Sequence, residues 1–83
     1  MKKYLVDVYL PTIGQHYDAY LPSERRIYEA MKLLADIAES LGSGTFRSRD
    51  ISMLMDAETG EPFDPGITVR EAGIRNSSHL ILI

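Results

Sequence analysis

Over residues 3–10 the side chains alternate: Tyr4, Val6, Val8 and Leu10 fall on one face, and Lys3, Leu5, Asp7 and Tyr9 on the other. Period two is the mark of a half-buried strand, and Asp7 identifies its solvent side. Pro11 to Gly14 supplies a turn, after which residues 15–21 alternate again, with Tyr17, Ala19 and Leu21 opposite His16, Asp18 and Tyr20. The first 21 residues therefore predict an antiparallel hairpin. The period then changes. From Ser23 to Leu41, apolar Ile27, Ala30, Met31, Leu34, Ala35, Ile37, Ala38 and Leu41 recur at three- and four-residue steps. That spacing predicts one amphipathic helix with Ile27, Met31, Leu34, Ala38 and Leu41 against a sheet. Ser23 is placed to accept hydrogen bonds from the first helical amides, with Glu24 at the positive end of the dipole, and Gly42 offers the left-handed position that ends a helix. Arg25–Glu29 and Lys32–Asp36 are spaced to pair along the polar side.

Past a polar loop at residues 43–50, residues 51–55 are again strand-like, and Asp56 to Gly60 has turn composition. Pro62-Phe63 is at most a short edge strand before a second turn at Asp64-Pro65-Gly66. Thr68-x-x-Glu71 has the form of a capping box, and Gly73 is placed to stop a short helix after about one turn. Residues 79–83 close the chain as a β-rich run. The order β, β, α, β, short β, short helix, β predicts a two-layer α+β arrangement, a mixed sheet packed on one side by the helix.

Composition narrows the function more than the fold. A chain of 83 residues without an internal repeat or a composition shift predicts a single domain, 1–83, with no room for a large enclosed active site. Its formal net charge of −3 lacks the positive field that favours nucleic acid, so no nucleic-acid partner is expected. The absence of cysteine removes thiolate chemistry and disulfides. No stretch approaches the roughly 20 apolar residues of a membrane span, and Asp7 and Pro11 interrupt the one run that resembles a leader. A cytoplasmic protein without direct membrane insertion is expected.

The last third resembles ubiquitin-like proteins in residues as well as layout. In Asp64-Pro-Gly-Ile-Thr-Val-Arg-Glu-Ala-Gly-Ile74-Arg-Asn-Ser-Ser-His-Leu-Ile-Leu-Ile83, a turn, a capped helical turn, an apolar residue, a polar loop and an apolar strand follow one another. Thr68, Val69, Ile74, Leu80 and Leu82 fall where that pattern wants them. The chain thus resembles the ubiquitin-like β-grasp superfamily. Ala72-Gly-Ile-Arg-Asn before a hydrophobic strand is most similar to the small bacterial YukD/EsaB-type proteins that accompany type VII (WXG-type) secretion systems. The resemblance implies a non-catalytic, protein-binding accessory or regulatory role, with a secretion-system membrane component or ATPase as partner and recruitment to the inner face of the membrane. A carrier or modifier role with C-terminal chemistry is the alternative. It is disfavoured because Ile83 stands in the expected strand where carriers have a flexible Gly-Gly tail.

Candidate chemistry is sparse. His16 and His79 have no Ser or Asp at a recognisable catalytic spacing, and Asp56-x-Glu58-x-Gly60 lacks the sixth-position glycine and twelfth-position acid of a calcium loop. Arg47 and Arg49, beside Asp50, form a weak basic patch. The five tyrosines lack the basic interleaving of a base-stacking platform. No enzyme, metal or cofactor is expected. The remaining candidate is the outer sheet face, where parity places Leu5, Tyr9, Leu54 and Ile81 among Asp7, Ser52 and His79. Leu5, Tyr9, Leu54, His79 and Ile81 are the expected protein-binding residues, exposed over buried Val6, Val8, Met53 and Leu80, because contiguous exposed apolar side chains usually mark an interface. Ubiquitin's main recognition surface lies on this same face.

Overall fold

The computed structural model describes residues 2–41 and 47–83. Strands β1 (Lys3–Leu10) and β2 (Gln15–Pro22) form the expected hairpin, with Tyr4 opposite Leu21, Val6 opposite Ala19 and Val8 opposite Tyr17. Helix α1 (Ile27–Leu41) follows, then a single 3₁₀ turn at Ser48–Asp50 and the short strand β3 (Leu54–Asp56). Strand β4 (His79–Leu82) runs parallel to β1 and antiparallel to β3, giving the order β2-β1-β4-β3 in a four-stranded mixed sheet. This is the α+β β-grasp arrangement that the pattern of elements predicted.

The core lies between the sheet and α1. Tyr4, Val6, Val8, Leu10, Ala19 and Leu21 from the hairpin meet Ile27, Ala30, Leu34, Ala35 and Ala38 from the helix, with Leu54, Val69, Ile74, Leu80 and Leu82 completing it. Tyr17 reaches from β2 to the helix, where its hydroxyl donates to the Leu34 carbonyl at 2.7 Å. Burial pushes that phenol's pKa well up, so it remains a donor.

The helix begins four residues later than Ser23, at Ile27. Ser23 is not its cap: it is buried, and its main chain extends the hairpin, its amide donating to the Lys2 carbonyl and its carbonyl accepting from Arg70. Arg26 bridges to Thr68, and the amides of Ile27 and Tyr28 donate to the carbonyls of Ile67 and Pro65, so a distant loop satisfies the helix start. Glu29 accepts the Arg26 amide at 3.1 Å and pairs with Arg25 at 3.0 Å; those bonds hold its pKa below the ordinary glutamate value. The Lys32–Asp36 pair is not formed among the described residues. Met31 is half-buried against the core, whereas Leu41, expected on the packing face, is 53% exposed and lies outside the core cluster, which the helix leaves after Ala38. Gly42 lies outside the described residues.

The capping box forms in both directions. Glu71 accepts the Thr68 amide at 2.9 Å and the Glu71 amide donates to the Thr68 hydroxyl at 3.0 Å, which lowers the Glu71 pKa. The element is a single turn, closed by bonds from Gly73 to Arg70 and from Ile74 to Val69. Gly73 sits at φ +85°, the left-handed conformation this closure requires, and Val69 and Ile74 are buried behind it. The short strand at 62–63 reduces to a bridge between Met55 and Pro62 and a bond from the Phe63 amide to Leu54.

Candidate functional site

The face of the sheet turned away from α1 is organised in cross-strand rows. Met55 of β3 stands opposite Ile81 of β4, Ile81 opposite Tyr9 of β1, and Tyr9 opposite His16 of β2. Met55, Ile81 and Tyr9 are half-buried, and the Tyr9 and His16 rings lie 4.5 Å apart between centroids. In the next row Asp7 is flanked by Asp18 and His79, and beyond it Leu5 faces Tyr20, which are 39% and 64% exposed. An apolar row therefore crosses three adjacent strands, β3, β4 and β1, and ends on His16 of β2, beside a polar row.

Four of the five expected binding residues, Leu5, Tyr9, His79 and Ile81, lie on this face. Leu54 does not. It is buried at 1% exposure, opposite Leu82 on the core side. The amides of Ser52 and Met53 both donate to the Ile83 carbonyl, at 2.7 and 2.8 Å, while the Ile83 amide donates back to Met53. Two residues thus oppose one, a β-bulge that inserts an extra residue and reverses the alternation beyond it. Met53, expected in the core, is only half-buried, and Met55 takes the outer position beside Ile81.

Asp7 is the polar centre of the face. One of its carboxylate oxygens, Oδ2, lies 3.0 Å from His16 Nδ1 and 3.3 Å from His79 Nδ1. Partial burial pushes the carboxyl's pKa up, but the hydrogen bonds and charge of His79 and His16 outweigh it and leave the value lowered. The sign follows: a lowered carboxylate adds stability above its ordinary pKa, and that contribution is lost as pH falls through the folded value. Asp7→Asn is expected to melt below the wild type at pH 5–7, with the gap closing in strong acid. Thermal melts across that range test it, and a gap independent of pH would contradict the pairing. The two histidines were individually legible as surface residues, but their meeting at Asp7 depended on the hairpin register and on β4 lying beside β1.

Elsewhere, Asn76 Oδ1 accepts the Leu5 amide at 2.9 Å and the Ser77 amide donates to the Leu5 carbonyl, so the loop before β4 extends its contact with β1. Ser77 holds φ +71°, an unfavourable conformation for a side-chain-bearing residue that this docking imposes. Among the described residues no cluster of His, Asp or Glu is arranged to hold a metal ion. Among the described residues no helix is long and apolar enough to cross a membrane.

The fold is that of ubiquitin. Among solved structures, Caldiarchaeum subterraneum ubiquitin aligns over 99% of this chain and 92% of its own, with a TM-score of 0.75 at 8% identity. The EccD5 ubiquitin-like domain from Mycobacterium xenopi covers 100% of this chain and 94% of its own, with a TM-score of 0.72 at 16% identity. A chain of the MycP5-free ESX-5 inner membrane complex covers 100% of this chain with a TM-score of 0.78 at 13% identity, the match occupying 21% of that longer chain. No family model matches the sequence, and no curated protein matches it. At these identities the likeness is one of ubiquitin-like fold.

Proposed function

We propose that this ubiquitin-like domain is a protein-binding module that docks a partner on its outer sheet face, through Leu5, Tyr9, His79 and Ile81 together with Met55, as an accessory or regulatory part of a bacterial type VII-like secretion system. The row Met55–Ile81–Tyr9 carries the reading: apolar side chains on three adjacent strands lie on the side that α1 leaves uncovered. Polar Asp7, His16 and His79 border them and supply directional contacts. Two comparisons support the setting, the EccD5 ubiquitin-like domain and the ESX-5 inner membrane complex, in which the matching unit is part of a longer chain. The YukD/EsaB-like run Ala72-Gly-Ile-Arg-Asn before the hydrophobic strand points to the same machinery. The partner is a membrane component or ATPase of that machinery, and the domain works from the cytoplasmic side.

Photocrosslinking in cells from a reactive residue at position 81 or position 5 tests this surface. Adducts with a secretion-system membrane protein are expected from these positions. Leu5→Asp should lower the yield from position 81 by about tenfold or more, since a charge set into an apolar contact must be desolvated, while a solvent-facing site changes folding stability little. Adducts arising only from the helix's polar stripe, at Arg25, Glu29, Lys32 and Asp36, would place the interface on α1 instead.

A further inference from the structure

The two edges of the sheet are treated differently. At one edge β3 has only three residues, its approach is distorted by the bulge at Ser52 and Met53, and the segment carrying Pro62 and Phe63 covers it through bonds to Asp56 and Leu54. These features block further strand pairing. At the other edge β2 runs for eight residues with no strand on its outer side among the described residues. The ladder shows which of its groups are free. Leu5 and Asp7 turn their main-chain groups toward the loop before β4, where Leu5 bonds Asn76 and Ser77 and Asp7 bonds Ser78. Their partners in register, Tyr20 and Asp18, therefore turn theirs outward, as does His16 opposite Tyr9. Among the described residues no other main-chain or side-chain group bonds these amides and carbonyls. No lysine or proline interrupts the edge before Pro22, at its end.

We propose that β2 pairs antiparallel with β2 of a second copy of this chain, joining two four-stranded sheets across a two-fold axis. A two-fold contact must be self-complementary, so only a few registers bring outward-facing groups together. Centring the axis on Asp18 sets two carboxylates directly opposite each other, which is unfavourable. Centring it on Tyr17 leaves Tyr20 and Leu21 without strand partners. Centring it on Ala19 uses residues 16–22 of both copies. Asp18 and Tyr20 then exchange main-chain bonds with Tyr20 and Asp18 of the other copy, His16 faces Pro22, and Tyr17 lies opposite Leu21 on the core side. Ala19, the smallest side chain of the strand, meets its own copy at the axis, where the two backbones come closest. Tyr20, 64% exposed, gains cover from the other copy in this register, and beyond Pro22 a groove of about 540 Å³, lined by Leu33 together with the charged Arg25, Glu29, Lys32 and Asp36, adjoins the end of the edge. The self-complementary register favours a second copy over a foreign strand as occupant.

Sedimentation equilibrium of the full chain over about 5–500 µM, a range suited to a modest interface, is expected to show a monomer–dimer equilibrium. Asp18→Pro removes an outward amide without touching the pairing to β1, and should raise the dissociation constant at least tenfold with an unchanged circular dichroism spectrum. In a mixed-label sample of the wild type, intermolecular contacts between the α-protons of Tyr17 and Leu21 should appear. Leu5→Asp, which addresses docking on the outer face, should leave the dimer intact, so the two surfaces fail or succeed separately. A wild type that stays monomeric throughout, a dimer undiminished in folded Asp18→Pro, or intermolecular contacts confined to another surface would each overturn the proposal.

Discussion

Leu54→Asp is expected to abolish folding. The side chain is 1% exposed, opposite Leu82 and within the core cluster. A carboxylate there loses its hydration among the apolar side chains of the core, at a cost above about 4 kcal/mol, comparable to the whole stability of a small domain. Ser52→Asp, two residues earlier on the exposed side of the bulge, should change stability by no more than about 0.5 kcal/mol. Urea titrations followed by circular dichroism distinguish the two. A Leu54→Asp protein that melts cooperatively near the wild-type temperature would show that the bulge does not form and that Leu54 faces solvent.

Removing Leu80 to Ile83 should have an effect of the same order. Strand β4 stands between β1 and β3, so its loss strips pairing from both. It also removes Leu80 and Leu82, buried at 1% and 0% exposure, each contributing roughly 1.5–3 kcal/mol through burial alone. The Ile83 main chain, which holds Ser52 and Met53, goes with them. The shortened chain is expected to give a collapsed amide spectrum and no cooperative melting transition. A dispersed native-like spectrum would contradict the central role of this strand and reopen the reading of the last residues as a dispensable, reactive tail.

Both predictions concern the second half of the chain, where local pattern and tertiary contact contribute unequally. In the hairpin, alternation over eight residues left one solution: Asp7 and Asp18 mark the solvent side, and β1 and β2 formed with the expected faces. The capping box and Gly73 were equally legible, because Thr68 and Glu71 satisfy each other and Gly73 closes the turn on Arg70, all within six residues. The apolar spacing of α1 likewise specified its buried face from Ile27 to Ala38. Those features depend on interactions between near neighbours, which a sequence pattern records directly.

The failures involve partners distant in the chain. Ser23 has every local attribute of a cap, yet the amides it would serve, those of Arg25 and Arg26, donate to Pro22 and Glu29, the helix start at Ile27 and Tyr28 is held by Ile67 and Pro65, and the main chain of Ser23 serves the hairpin and Arg70. Residues 51–55 are almost uniformly apolar apart from Ser52, so parity along them was undetermined by pattern. The Ile83 carbonyl, by accepting from two successive amides, set it. That bond decided that Leu54 faces the core and Met55 the outer row. The joining of His16 and His79 at Asp7 also required β4 beside β1, a pairing of residues 72 positions apart. Sequence alone determined the element types, the order of the fold and the buried faces of β1, β2, β4 and most of α1, because periodicity is a local consequence of backbone geometry. Tertiary structure decided where the helix starts, which side of β3 is inward and which polar groups share the outer face, because each depends on hydrogen bonds that a strand or helix makes outside itself.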